Sequence, residues 1–118
     1  MAPRRIAGWM GALAVAAGAF GAHGLKDHVT VDRLATWETG ARYHLIHAVV
    51  LLLLALLPEQ TAAIPRAVFW LFLAGIFIFS GSLYALVLLD LPILGMVTPL
   101  GGLCLIAGWA GLARSAGS

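Results

Sequence analysis

Charge is scarce in this chain. Only 10% of its 118 residues are Asp, Glu, Lys or Arg, where an average soluble domain carries about 25%. A domain this small has an unfavourable surface-to-volume ratio and would need more charge than average to stay in water, so a water-soluble fold is excluded. The sequence also lacks a basic cluster. Its net charge is +2, and Arg4 and Arg5 are the only adjacent pair, which leaves no footprint for nucleic acid. Cysteine is limited to Cys104, so no intrachain disulfide and no CxxC pair for zinc or redox chemistry can form; its apolar setting implies a buried, inert thiol. The length excludes a second ordinary domain or a large cofactor-binding sheet, and no cofactor is expected. What is present is apolar: 62% hydrophobic residues and a mean hydropathy of +1.00. Those figures describe one compact unit whose solvent is largely lipid.

The apolar residues fall into four runs, 6–22, 43–58, 67–89 and 91–113. A membrane-spanning helix needs about 20 mainly apolar residues. The last two runs meet that length outright, and the first two meet it once extended into their polar flanks. Backbone groups in lipid must be satisfied within the segment, which makes these helices. No period-two alternation suggests a barrel. The expected fold is an all-α, four-helix transmembrane bundle in a single domain over 1–118, with spans near 6–24, 38–58, 66–89 and 92–113. Arg4-Arg5 followed by an apolar stretch and Ala17-Gly18-Ala19 also resembles a cleavable signal peptide, but cleavage would leave an odd three-span remainder.

Four spans put both termini and the connection around Pro58 to Pro65 on one side. That side holds Arg4, Arg5, Arg66 and Arg114; the other holds Lys26, Arg33 and Arg42. The Lys/Arg balance in short loops therefore places the termini in the cytoplasm. The first loop, roughly Gly24 to Thr36, mixes charged and apolar residues. It suits either a short amphipathic segment in the interface, with Trp37 at headgroup depth, or a plain polar connector.

Lipid supplies no hydrophobic drive for helix association, so small residues that allow close approach matter. Ala7, Gly11, Ala14, Gly18 and Gly21 form a stripe on the first helix. Gly101, Gly102, Ala107, Gly108 and Gly111 form a groove on the last. Either could serve internal packing or association with a second copy.

Ionisable residues at membrane depth are costly and are functional candidates. Here they are His23, Glu38, Arg42, His44 and His47, with Ser80, Ser82, Tyr84 and Thr98 as uncharged polar partners. Most gather toward the side of the first loop. At 100° per residue, Tyr43, His44 and His47 share about one third of the helix circumference. Glu38 and Arg42 lie nearly opposite and suit an i,i+4 ion pair. Three neutral imidazoles, His23, His44 and His47, could hold zinc or copper with a water. The alternative is that they hydrogen-bond carbonyls or Tyr84 and seal helix ends. Phe77, Ser80 and Tyr84 should share a face of the third helix. Ser80 could be a nucleophile only beside an activating base, and no acid completes a triad. Thr98-Pro99 should kink the fourth helix, with the threonine re-satisfying backbone groups.

Four strings carry a resemblance: Gly18-Ala19-Phe20-Gly21-Ala22-His23-Gly24-Leu25-Lys26, Trp37-x-Thr39-Gly40-Ala41-Arg42-Tyr43-His44-x-x-His47-Ala48, Phe79-Ser80-Gly81-Ser82-Leu83-Tyr84, and Thr98-Pro99-Leu100-Gly101-Gly102 with Gly108-Trp109. In this order they resemble the small four-helix membrane proteins grouped as domain-of-unknown-function family 423. The resemblance implies a four-span fold in a bacterial inner membrane, and no established activity. The matching polar residues are His23, Lys26, Tyr43, His47, Ser80, Tyr84 and Thr98; His44 falls at a looser position. The expected function is a non-enzymatic accessory or ligand-binding role, with a polar pocket of these seven residues in the extracytoplasmic half. The rivals are an oligomeric transporter or channel, a metal-binding protein and a membrane-embedded enzyme. Expected partners are the lipid bilayer and a second copy or another membrane protein.

Overall fold

The computed structural model describes residues 1–58 and 64–115. Four helices account for nearly all of them: α1 (Pro3–Leu25), α2 (Val31–Leu56), α3 (Arg66–Leu89) and α4 (Pro92–Ser115), each long and apolar enough to cross a membrane. No strand occurs among the described residues. The long axis of the molecule is 49 Å, comparable with a bilayer of about 40–45 Å including headgroups. Residues 59–63, in the connection between α2 and α3, lie outside the described residues.

Local chemistry explains most helix ends. Pro3 opens α1 in the first turn, where its missing N–H costs no bond and its fixed φ suits the helix. The last turn of α1, Gly21–Leu25, widens to i→i+5 bonding. Thr30 caps α2, its Oγ1 accepting from the Arg33 amide at 3.2 Å, and Asp32 in the first turn favours the positive end of the helix dipole. This capped start sits at Val31, whereas the apolar pattern places the span from about residue 38. Asp32, Arg33 and Thr36 are thus the first turns of α2 and not a separate segment of the loop. Trp37 is correspondingly a residue of the helix itself, buried against its neighbours at 5% exposure. α3 ends at Asp90, which takes the left-handed conformation (φ 52°) as Leu91 N–H closes onto the Leu86 carbonyl at 3.1 Å. A short polar side chain tolerates that conformation better than most. Arg33 reaches across to Asp90 at 3.0 Å, tying the start of α2 to the α3–α4 turn.

The fourth helix does change character near Thr98-Pro99, but not by a kink at proline. Pro92–Met96 is a 3₁₀ helix, and the α-helical part begins at Thr98. Pro99 falls in the first α-helical turn, where the absent N–H is tolerated. Thr98 Oγ1 lies 3.4 Å from the Leu94 carbonyl, at the outer limit of a hydrogen bond.

The helices pack in chain order: α1 on α2, α2 on α3, α3 on α4, with no comparable packing of α1 on α4. Small residues set the contacts. On α1 the inner face is Ala7, Met10, Ala14 and Gly21, so the stripe reaches the core at three of its five positions, while Gly18 is exposed. On α4, Gly101 lies directly against the α3 backbone, and Gly108 meets the Phe72 ring. Leu51 and Phe72 at the centre are fully buried.

Candidate functional site

The intramembrane polar residues are held where α2 meets its neighbours. Near the middle of α2, His47 is buried at 4% exposure. Trp109 of α4 donates its indole N–H to His47 Nε2 at 3.1 Å. An indole N–H can only donate, so Nε2 is the unprotonated nitrogen. The ring proton of neutral His47 is then on Nδ1, which donates to the Tyr43 carbonyl one turn earlier at 2.7 Å. Both nitrogens are therefore used inside the bundle. Phe72 and Trp109 enclose the ring, with centroids 5.7 and 5.9 Å away.

One turn earlier, His44 points between α1 and α3. Its Nδ1 is 2.9 Å from the Tyr84 hydroxyl. Its Nε2 is buried, with the Met10 backbone of α1 beside the ring and no hydrogen bond of good geometry among the described residues. Tyr84 also packs on Trp37, ring centroids 4.5 Å apart, and Trp37 donates its indole N–H to the Ala17 carbonyl of α1 at 2.8 Å. The Cδ1–Nε1 edge of Trp37 abuts Gly21: a Cβ there would come within 2.6 Å of it. This node, Trp37–His44–Tyr84, joins α1, α2 and α3.

Ser80 is 1% exposed and donates to the Gly40 carbonyl of α2 at 2.7 Å. That contact is possible because Gly40 lets α3 approach: a Cβ at this position would meet Leu83 Cβ at 3.3 Å. The segment Ile76–Ser80 makes a π-helical turn, whose extra residue per turn rotates the residues beyond it. Phe77 is consequently exposed while Ser80 is buried, so the two do not share a face as regular helical spacing predicts. Ser82 donates to the Phe79 carbonyl at 2.9 Å and is hydrogen-bonded to Thr98 of α4.

The candidate residues thus separate into several places. His47 and the Tyr43 carbonyl belong to the α2–α4 contact, His44 and Tyr84 to the α1–α2–α3 node, Ser80 to the α2–α3 crossing, and Thr98 to the α3–α4 contact. His23 and Lys26 are exposed at the end of α1. Among the described residues no group of three His, Cys, Asp or Glu could hold a metal ion, so His23, His44 and His47 are not brought together as ligands. Cys104 is half-buried on α4. Glu38 and Arg42 are both exposed, and no ion pair joins them; Arg33–Asp90 is the pair formed at this end. Two partners escape a reading of the polar residues alone, Trp109 and Trp37. The signal for both is that an indole N–H at membrane depth needs an acceptor.

A cavity of about 640 Å³ opens at the opposite end of the molecule, lined by residues of α1, α2 and α3 that include Leu54, Ala55, Arg66, Phe69 and Trp70.

Four membrane-length helices, joined through close glycine contacts and buried side-chain hydrogen bonds, define a small multi-span integral membrane protein. The chain belongs to the family described as "Protein of unknown function (DUF423)", which matches residues 17–102. It is 46% identical over 99 residues to the UPF0382 membrane protein YwdK of Bacillus subtilis (strain 168), covering 82% of this chain and 80% of that one. It is 42% identical over 97 residues to the UPF0382 membrane protein SAB0533 of Staphylococcus aureus (strain bovine RF122 / ET3-1), covering 82% and 80%. The UPF0382 membrane protein SSP2132 of Staphylococcus saprophyticus is 41% identical over 97 residues, covering 82% and 81%. No solved structure matches.

Proposed function

We propose that this protein performs no chemistry of its own and is an accessory membrane protein that acts by binding, within a bacterial inner membrane and with both termini on the cytoplasmic side. The observation that carries this reading is the saturation of His47. A general base or metal ligand needs a free lone pair facing a substrate or ion, and the His47 lone pair accepts from Trp109. Ser80 offers no better nucleophile, because its hydroxyl proton is directed at the Gly40 carbonyl and not at a base. A ligand contact in the extracytoplasmic half falls to the Trp37–His44–Tyr84 node, where the buried His44 ring lies between Tyr84 and the Met10 backbone of α1. A transport path would need polar groups through the half of the bundle beyond His47, and there α2 presents Leu51, Leu52, Leu53 and Leu54. The arginines at the two ends, Arg4, Arg5, Arg66 and Arg114 against Lys26, Arg33 and Arg42, support the orientation.

The test is covalent labelling. A membrane-permeant fluorophosphonate probe, applied to the protein in mild detergent, is expected to leave Ser80 unmodified by mass spectrometry. Stoichiometric labelling that disappears in Ser80→Ala would overturn the reading.

A further inference from the structure

We propose that the cavity at the termini end of the bundle binds one anionic phospholipid, with an acyl chain along Leu54, Ala55 and Phe69 and the phosphate at Arg66. The inference rests on the reading that this protein acts by binding, and it names the chemistry of one ligand. The cavity volume of about 640 Å³ lies inside the range of about 300–1,000 Å³ typical of small-ligand sites. Its wall is apolar through Leu54 and Ala55 of α2, Ile64 just before α3 and Phe69 of α3, and carries one cationic residue, Arg66. Arg66 is the first residue of α3, so its side chain lies at the level where the span begins and headgroup phosphates sit. Trp70, one turn deeper on the same wall, is half-exposed, as suits an indole at the boundary between headgroups and acyl chains.

Charge complementarity selects the occupant. Every charged side chain described at this end is an arginine: Arg4, Arg5, Arg66 and Arg114. The described acidic residues, Asp27, Asp32, Glu38 and Asp90, all lie at the other end, and the sequence places only Glu59 on this side. A zwitterionic lipid would gain little from such a field, whereas an anionic headgroup is attracted by each nearby basic residue. An apolar wall that ends in a cation fits a molecule that is chain at one end and phosphate at the other. A soluble phosphate would leave the apolar wall unused.

The test uses native mass spectrometry of the full chain released from mild detergent, with dioleoyl-phosphatidylglycerol and dioleoyl-phosphatidylcholine supplied in equal amounts. The phosphatidylglycerol adduct is expected to exceed the phosphatidylcholine adduct about fivefold. Arg66→Gln should abolish that preference. Arg66 also makes a contact within the chain, so Ala55→Trp provides the second arm: it fills the apolar wall, keeps every charge and should reduce the adducts of both lipids. Arg42→Gln, an exposed cation in the opposite half, should change nothing. Equal retention of the two lipids by the unsubstituted protein would overturn the proposal. So would adducts unaffected by Ala55→Trp, or a loss of preference in Arg42→Gln as large as in Arg66→Gln, which would mean general surface charge and no site. Failure here leaves the non-enzymatic reading standing, since that reading is decided by labelling at Ser80.

Discussion

Gly101→Ala is expected to lower the stability of the detergent-solubilised protein by about 3 kcal/mol or to prevent folding, while Gly102→Ala stays within about 0.5 kcal/mol of the parent. The two glycines are neighbours on one helix, and their intrinsic helical preferences are the same. The difference is what lies opposite. A Cβ on Gly101 would sit 2.2 Å from the Phe79 amide nitrogen and 2.7 Å from its Cα. Those are backbone atoms, so no rotamer change relieves the overlap, and α3 and α4 must move apart. A Cβ on Gly102 meets the Phe79 ring at 3.8 Å, an ordinary contact. Separating α3 from α4 also disturbs Ser82–Thr98 and the approach of Trp109 to His47. In lipid, where burial of apolar surface does not hold helices together, lost close packing has no substitute. Reversible unfolding in mixed detergent micelles, followed by far-UV circular dichroism, measures both variants. Equal behaviour of the two would refute the crossing at Gly101.

Removing the His47 side chain should be nearly as costly. His47→Ala is expected to destabilise by about 3 kcal/mol, because it leaves the Trp109 N–H unpaired in an apolar setting and opens a void against Phe72. Trp109→Phe keeps much of the ring packing and removes the donor, at about 1 kcal/mol. The two changes share one bond, so the double variant His47→Ala/Trp109→Phe should be more stable than their sum predicts, with a coupling of about 1 kcal/mol. Strict additivity would mean that the indole–imidazole bond does not stabilise the fold.

The four helices were legible because lipid imposes a length and a composition that no other requirement mimics, and the runs from Ala67 to Leu89 and from Leu91 to Ala113 carry that signature outright. The last-helix groove was legible too, since Gly101 and Gly108 sit seven residues apart on one face. What the pattern could not carry is where each polar group finds its partner. The start of α2 depends on one capping bond from Thr30, and moving the start to Val31 makes Trp37 part of the helix, buried in the bundle. The π turn at Ile76–Ser80 breaks the 100° arithmetic that puts Phe77 with Ser80, and the contacts made there, Ser80 with Gly40 and Phe79 with Gly101, lie outside any local window. For the histidines, spacing on α2 correctly puts His44 and His47 near one another. It says nothing of Tyr84, 40 residues away from His44, or of Trp109, 62 residues away from His47. These long-range partners turn a candidate ligand set into separate contacts.

The central claim is that His47 is a lock between α2 and α4, with no valence left for chemistry. Nitrogen-15 NMR of the histidine side chains in the folded protein at neutral pH tests it most directly, because the two ring nitrogens report protonation separately. The structure predicts that His47 is neutral, protonated on Nδ1 and bare on Nε2, with a hydrogen bond from Trp109 that vanishes in Trp109→Phe. A ring protonated on Nε2, or on both nitrogens, would contradict it.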